Sequence, residues 1–153
     1  MAKQKITPCL WIEKDAKKAV QYYLSIFKNG KMKSYTAYKD SPNGGFDFAT
    51  MEILGMEFLI LAAGAQFKFN EAVSFTINCA NQAEIDYYWK ALTIKGGSEG
   101  PCGWVKDKYG LSWQIVPEQL NKLQQSKSKS KRDYAMTALM RMKKIIIADL
   151  EEK

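Results

Sequence analysis

Two stretches of this chain read as copies of one unit, and that internal repeat limits the fold more than any other feature. Offset by 65 residues, "LWIEKDAKKAVQYYLSIFKNG" (residues 10–30) runs beside "FTINCANQAEIDYYWKALTIK" (residues 75–95), matching Ile12 with Ile77 and Tyr22-Tyr23 with Tyr87-Tyr88. Each copy predicts a strand followed by a helix. The apolar positions Ala19, Tyr22, Tyr23 and Ile26, and in the second copy Ile85, Tyr88, Trp89 and Leu92, follow the i, i+3, i+4, i+7 spacing of a half-buried helix. Gly30 and Gly96-Gly97 stop them.

After each helix the apolar period changes to two. "KMKSYTAY", a "KDSPNGG" turn, "FDFATMEIL", Gly55 and "MEFLILAA" predict three strands in the first copy. "EGPCGWVKD", a turn at Asp107-Lys108 and "LSWQIVP" predict the shorter set in the second, with Gly55 matching Gly110 at an offset of 55. Both halves therefore read as β-α-β-β-β, residues 1–65 and 72–117 of a body spanning 1–119. The fold class is α+β, with two βαβββ modules forming curved, mostly antiparallel sheets whose helix-free faces are open to a ligand. "EQLNKLQQ" predicts a short helical turn. Residues 120–132, with "SKSKSKR", predict a linker, and residues 133–153 a C-terminal helix capped by Asp133, with Met136, Leu139, Met140, Ile146, Ile147 and Leu150 along one side. Such a helix is expected to dock on its own body or on a partner subunit.

At 153 residues the chain buries about 68–70% of its unfolded surface, so neither disulfides nor a structural metal are needed for folding. Cys9, Cys79 and Cys102 are odd in number and far apart, which excludes a CxxC zinc knuckle and a disulfide framework and points to reduced thiols in a cytoplasmic protein. No apolar run reaches the length of a membrane span, and no signal-peptide pattern opens the chain. The formal charge of +7 is concentrated in the tail. Residues 121–153 carry nine Lys/Arg against four Asp/Glu, leaving 14 against 12 for the rest, so no nucleic-acid surface is expected on the body.

The stretches "ITPCLWIEKDAKKAVQYYLSIF", "VSFTINCANQAEIDYYWKAL", "CGWVKDKYGLSWQIVP" and "ALMRMKKIIIADLE" resemble PhnB-like proteins of the vicinal oxygen chelate superfamily, which includes glyoxalase I and bleomycin-resistance proteins. The likeness covers nearly the whole chain. It implies paired βαβββ modules around a small-molecule cavity and a homodimer. Members of this group often carry the label 3-demethylubiquinone 3-methyltransferase, yet the sequence holds no G-x-G-x-x-G turn with a following acidic ribose ligand for S-adenosylmethionine.

Metal-dependent members place a His or Glu on the first and last strands of each module. Carried over, those positions are Thr7 (Pro8 if the register slips by one), Ala72 (or Val73), Leu59 and Gln114. The chain has no histidine, three of the four places lack a metal-ligating side chain, and a catalytic zinc site needs three such ligands, so no metal and no cofactor is expected.

Strand alternation assigns the faces. Phe75, Ile77, Leu10, Ile12, Leu111, Trp113 and Ile115 are expected to face the helices. Cys9, Trp11, Glu57, Leu59, Leu61, Ser74, Thr76, Asn78, Ser112 and Gln114 are expected to face the cavity. Cys9, Trp11, Leu59, Leu61, Ser74, Thr76, Ser112 and Gln114 then form the ligand wall, suited to an uncharged or aromatic molecule. Trp89, Trp104 and Trp113 are assigned to the core, and Asp47 and Glu52 to the surface. Glu57 and Cys9 are the candidate catalytic groups. A buried, unpaired Glu57 would have a raised pKa and act as a general base; at the cavity mouth it would be merely solvated. Cys102 reads as structural unless Lys106 folds back to lower its pKa. Three functions follow as expectations: small-molecule binding without a metal, an enzyme using Glu57, Cys9 or Gln114, and an oligomerising scaffold.

Overall fold

The structure is a computed structural model that describes residues 4–40 and 44–151. The chain divides into two compact units, Met1–Lys68 and Phe69–Lys153. The first contains β1 (Cys9–Ile12), α1 (Ala16–Leu24), β2 (Lys31–Tyr38), β3 (Phe46–Ile53) and β4 (Met56–Ala62). Its sheet has the order β1-β4-β3-β2, with β1 parallel to β4 and the other pairs antiparallel. The turn expected at residues 39–45 lies partly outside the described residues.

The second unit repeats this plan. It contains β5 (Ser74–Cys79), α2 (Gln82–Ile94), β6 (Ser98–Glu99), β7 (Trp104–Lys106) and β8 (Ser112–Pro117), in the order β5-β8-β7-β6. Here β5 runs parallel to β8 and the rest are antiparallel. Both mixed sheets and the βαβββ order are those expected from the repeat.

Both α1 and α2 begin with a side-chain cap. Asp15, at φ 63°, accepts from Lys18 N at 3.0 Å, and the adjacent Lys18 ammonium and amide hold its carboxyl below the usual range. Asp47 from β3 accepts from Ala16 N at 3.0 Å, so it serves α1 and is half-buried, not a plain surface residue. In α2 the Asn81 side chain accepts from Glu84 N while Glu84 reaches back to Ala80 N, a reciprocal capping box. The helix stripes then face the sheets. Tyr23, Ile26 and Phe27 are fully buried in the first unit, and Ile85 and Leu92 in the second. Burial of each such side chain contributes about 1.5–3 kcal/mol.

The polar turn between β7 and β8 is closed by Asp107, which is only 3% exposed. Its carboxylate accepts from Tyr109 N at 2.8 Å, Leu111 N at 3.1 Å and Trp113 Nε1 at 3.0 Å. The turn expected at Asp107-Lys108 is therefore a buried polar knot that also anchors a core tryptophan.

The tail differs from the sequence expectation. Residues 120–132 are not an unstructured linker: α3 (Glu118–Gln124) follows β8 directly, and α4 (Lys129–Leu139) starts inside the basic stretch. Ser128, not Asp133, caps α4, through its hydroxyl on Lys131 N. Nor does the helix run to residue 153. It ends at Leu139 with Met140 as its C-cap, Ile146 is extended, and a 3₁₀ turn follows at Ile147–Asp149. The buried set is Ala135, Leu139, Ile145 and Leu150, packed on Val116, Leu120 and Leu123, whereas Met136 and Met140 are exposed.

This segment docks on the second unit through backbone as well as side chains. Cys102 N donates to Met142 O at 2.8 Å and Gly103 N to Lys143 O at 2.7 Å. The Gln82 amide bridges it at another point, donating to Ile145 O at 3.1 Å and accepting from Ile147 N at 2.9 Å.

Candidate ligand-binding site

In the second unit, register places side chains in rows across the face opposite α2. Ser74, Ser112 and Lys106 form one row, and Thr76, Gln114 and Trp104 the next. The intervening Ile77, Ile115, Val105 and Trp113 are buried. The alternation expected along β5 and β8 is thus present, with Ser74 half-buried and Thr76 and Asn78 exposed. Gln114 Nε2 donates to Ser74 Oγ at 2.9 Å, so its carboxamide is tied to a neighbouring hydroxyl.

Trp104 corrects the core assignment. It is only half-buried, and it lines a cavity of about 520 Å³ with Pro101, Cys102, Val105, Lys106 and Ser112. Glu71, Ser98, Glu99 and Gly100 complete the lining. The sequence did hold the signal: in the run Trp104-Val105-Lys106, alternation about the buried Val105 puts both neighbours on the open face. What was missing was the length of β7, since three residues give too little alternation to read alone.

Ser112 is the exceptional group of this cavity. It is 1% exposed, and its hydroxyl oxygen has no hydrogen-bond partner among the described residues. A buried hydroxyl without a partner costs about 1–3 kcal/mol, a cost rarely retained without a use. The charged groups around it are, in contrast, paired. Lys106 Nζ lies 2.5 Å from Glu71 Oε1, an ion pair that holds the Glu71 carboxyl below its usual range. Glu99 accepts the Trp89 indole N–H at 2.9 Å and stands 3.9 Å from Lys143 Nζ. Lys106 therefore does not serve as an activator of Cys102, whose Sγ instead lies 3.8 Å from Met140 Sδ.

In the first unit Cys9, Trp11, Leu59 and Leu61 share the face opposite α1, with Cys9 paired to Leu59 and Trp11 to Leu61. Trp11 Nε1 donates to Gly64 O at 2.8 Å, and its ring meets Phe67 edge-on with centroids 5.0 Å apart. Glu57 is not the unpaired carboxylate that base catalysis would require. It stands at the start of β4, its carboxylate 2.5 Å from Lys33 Nζ and its backbone bracketed by the Gln4 amide. Cys9 is an exposed residue, yet the atoms around its thiol desolvate it and push its pKa up, which disfavours a thiolate nucleophile. Cys79 is buried, and desolvation pushes its pKa up to about 12.

The donor set does not fit the superfamily metal. Among the described residues no group of three or more His, Cys, Asp or Glu side chains converges on one point. Thr7 is exposed, Pro8 presents only its carbonyl to Leu59 N, Val73 is 63% exposed, and Leu59 offers no donor atom. S-adenosylmethionine finds no Gly-rich cradle either. The turns into α1 and α2 contain no glycine, and their free amides are occupied by Asp15, Asp47, Asn81 and Glu84.

Residues 4–116 match the family model described as 3-demethylubiquinone-9 3-methyltransferase. The chain belongs to this PhnB-like family. Its fold is that of the vicinal oxygen chelate superfamily. A PhnB protein from Bacillus cereus bearing the same methyltransferase description is 29% identical, with a TM-score of 0.64 over 74% of this chain and 99% of that one. A Pseudomonas aeruginosa protein is 18% identical with a TM-score of 0.62, covering 75% of this chain and 98% of its own. FosX, a fosfomycin resistance protein of Listeria monocytogenes complexed with Mn(II) and sulfate, is 18% identical with a TM-score of 0.52, covering 75% and 92%. No curated protein matches the chain. No helix among the described residues is long and apolar enough to cross a membrane.

Proposed function

We propose that this PhnB-like protein binds a small organic molecule without a metal, with Trp104 and Ser112 at the site. The observation that carries this reading is the cavity of about 520 Å³ whose apolar wall surrounds one buried, unpartnered hydroxyl. Ligand pockets span roughly 300–1,000 Å³ and combine apolar walls with a few placed polar groups. Ser74, Thr76 and Gln114 on the same face of the second unit belong to this proposal, and the face carrying Cys9, Trp11, Leu59 and Leu61 is proposed as the corresponding ligand wall of the first unit, taken by itself.

The metal-free part rests on the donor set: the chain contains no histidine, and Leu59 and the Ser74-bound Gln114 occupy two of the ligand positions. Neither catalytic candidate gains support, because Glu57 is ion-paired and the Cys9 thiol is held protonated. Methyl transfer from S-adenosylmethionine is likewise without a cradle. A homodimer in the cytoplasm completes the reading.

Native mass spectrometry of protein purified without chelator tests the proposal, because it reports metal, organic adduct and subunit number together. A metal-free dimer, with melting raised by cavity-sized aromatic probes, is the expected result. Stoichiometric metal would overturn the metal-free reading. Failure of every probe to raise the melting temperature would overturn ligand binding, since a ligand of the native state stabilises it by RT ln(1 + [L]/Kd).

A further inference from the structure

We infer that the molecule taken up by this cavity is a planar apolar carboxylate, its oxyanion received by Lys106 and Ser112 in place of Glu71. The inference rests on the binding reading above and adds the ligand's charge. Lys106 and Ser112 are directly opposite one another on β7 and β8 and both line the cavity. Opposed residues on one face of a sheet have Cβ atoms about 4.5–5.5 Å apart, so an ammonium and a hydroxyl present N–H and O–H donors to one small region. A carboxylate uses two oxygens and satisfies both.

The protein already holds a carboxylate on that ammonium. Glu71 precedes β5, and its Oε1 lies 2.5 Å from Lys106 Nζ, with side chains 63% and 41% exposed respectively. An ion pair this exposed is worth about 0–1 kcal/mol, so a ligand displaces it at little cost. The buried hydroxyl gains a partner only when something enters. Lys106 is the cation of this lining; the other acid, Glu99, is committed to the Trp89 indole. Trp104 and Pro101 supply apolar surface for a ring.

The test is calorimetric titration with 2-naphthoate, neutral 2-naphthamide and cationic 2-naphthylmethylammonium. The wild-type protein is expected to bind the carboxylate about tenfold more tightly than the amide, the preference of one charge-assisted hydrogen bond. Glu71→Gln frees Lys106 and raises affinity for naphthoate about two- to fivefold while leaving the amide unchanged. Lys106→Met removes the preference, and Ser112→Ala weakens the carboxylate more than the amide. Both Glu71 and Lys106 are solvent-accessible, so unchanged melting of these two variants controls for folding. Equal binding of carboxylate and amide, or tightest binding of the cation, overturns the inference and leaves the cavity reading standing. If none of the three probes binds, both fall.

Discussion

Trp104 and Gln114 stand directly opposite one another on β7 and β8, while the next pair along, Val105 and Trp113, points to the other side of the same sheet. One residue of register therefore decides which tryptophan is core and which is available to a ligand. Trp113 is 3% exposed and donates to the buried Asp107 carboxylate; Trp104 is half-buried on the cavity wall.

That difference sets opposite costs for the same substitution. Trp113→Phe removes a charge-assisted hydrogen bond from the indole N–H to the buried Asp107 carboxylate, so it should lower unfolding stability by about 2–3 kcal/mol. Trp104→Phe keeps an aromatic face at a half-buried position and should cost under about 1 kcal/mol. Urea denaturation of both variants checks this. Equal losses would mean that Trp104 is packed as core after all.

Ser112→Ala makes a different kind of prediction, because it should stabilise the free protein. The hydroxyl is buried without a partner, and its removal relieves a desolvation penalty, giving a gain of about 1 kcal/mol. A rise in melting temperature without ligand, joined to weaker 2-naphthoate binding, is the expected pair of results. A fall in stability would show that the hydroxyl is satisfied in solution.

How far the sequence carried these conclusions varies with the length of the pattern. The repeat, the two helix stripes and the faces of β5 and β8 were legible because each pattern runs through several residues of regular period. The exposure of Trp104 is not legible in the same way, because β7 has only three residues and a tryptophan in an apolar stretch is ordinarily core. Glu57 and Lys33 are 24 residues apart, and Glu71 and Lys106 are 35 apart, so neither ion pair follows from local spacing. The tail departs from its sequence pattern for a related reason. Its apolar residues fit a helical stripe in part, but Ile145 is buried from an extended segment held by the backbone of Cys102 and Gly103. A helical template does not contain that contact.

Gly103 tests this docking. Its φ is +83°, and a Cβ there would lie 2.8 Å from both Ile115 O and Ile145 Cδ1. Gly103→Ala is therefore expected to cost more than about 1 kcal/mol and to loosen residues 142–150, read as faster amide exchange in that segment. Wild-type exchange in the variant would show that the contact is easily rearranged.

Acid should weaken the same docking through Asp86. Lys144 from the tail lies against the Asp86 carboxylate, which also accepts from Gln82, and these partners hold its pKa below the ordinary carboxylate value. A carboxyl whose folded pKa is depressed stabilises the fold at pH values above its unfolded pKa, near 3.9, and the contribution disappears as pH falls through the lower folded value. Asp86→Asn removes the charge at every pH. The wild-type advantage in melting temperature over Asp86→Asn should accordingly be constant from neutral pH down to about 5 and shrink below about 4. It should also be small and diminish with salt, because both side chains are partly exposed, at 34% and 49%. An advantage that persisted unchanged at the lowest pH would mean that the Asp86 hydrogen-bond geometry, not its charge, holds the tail in place.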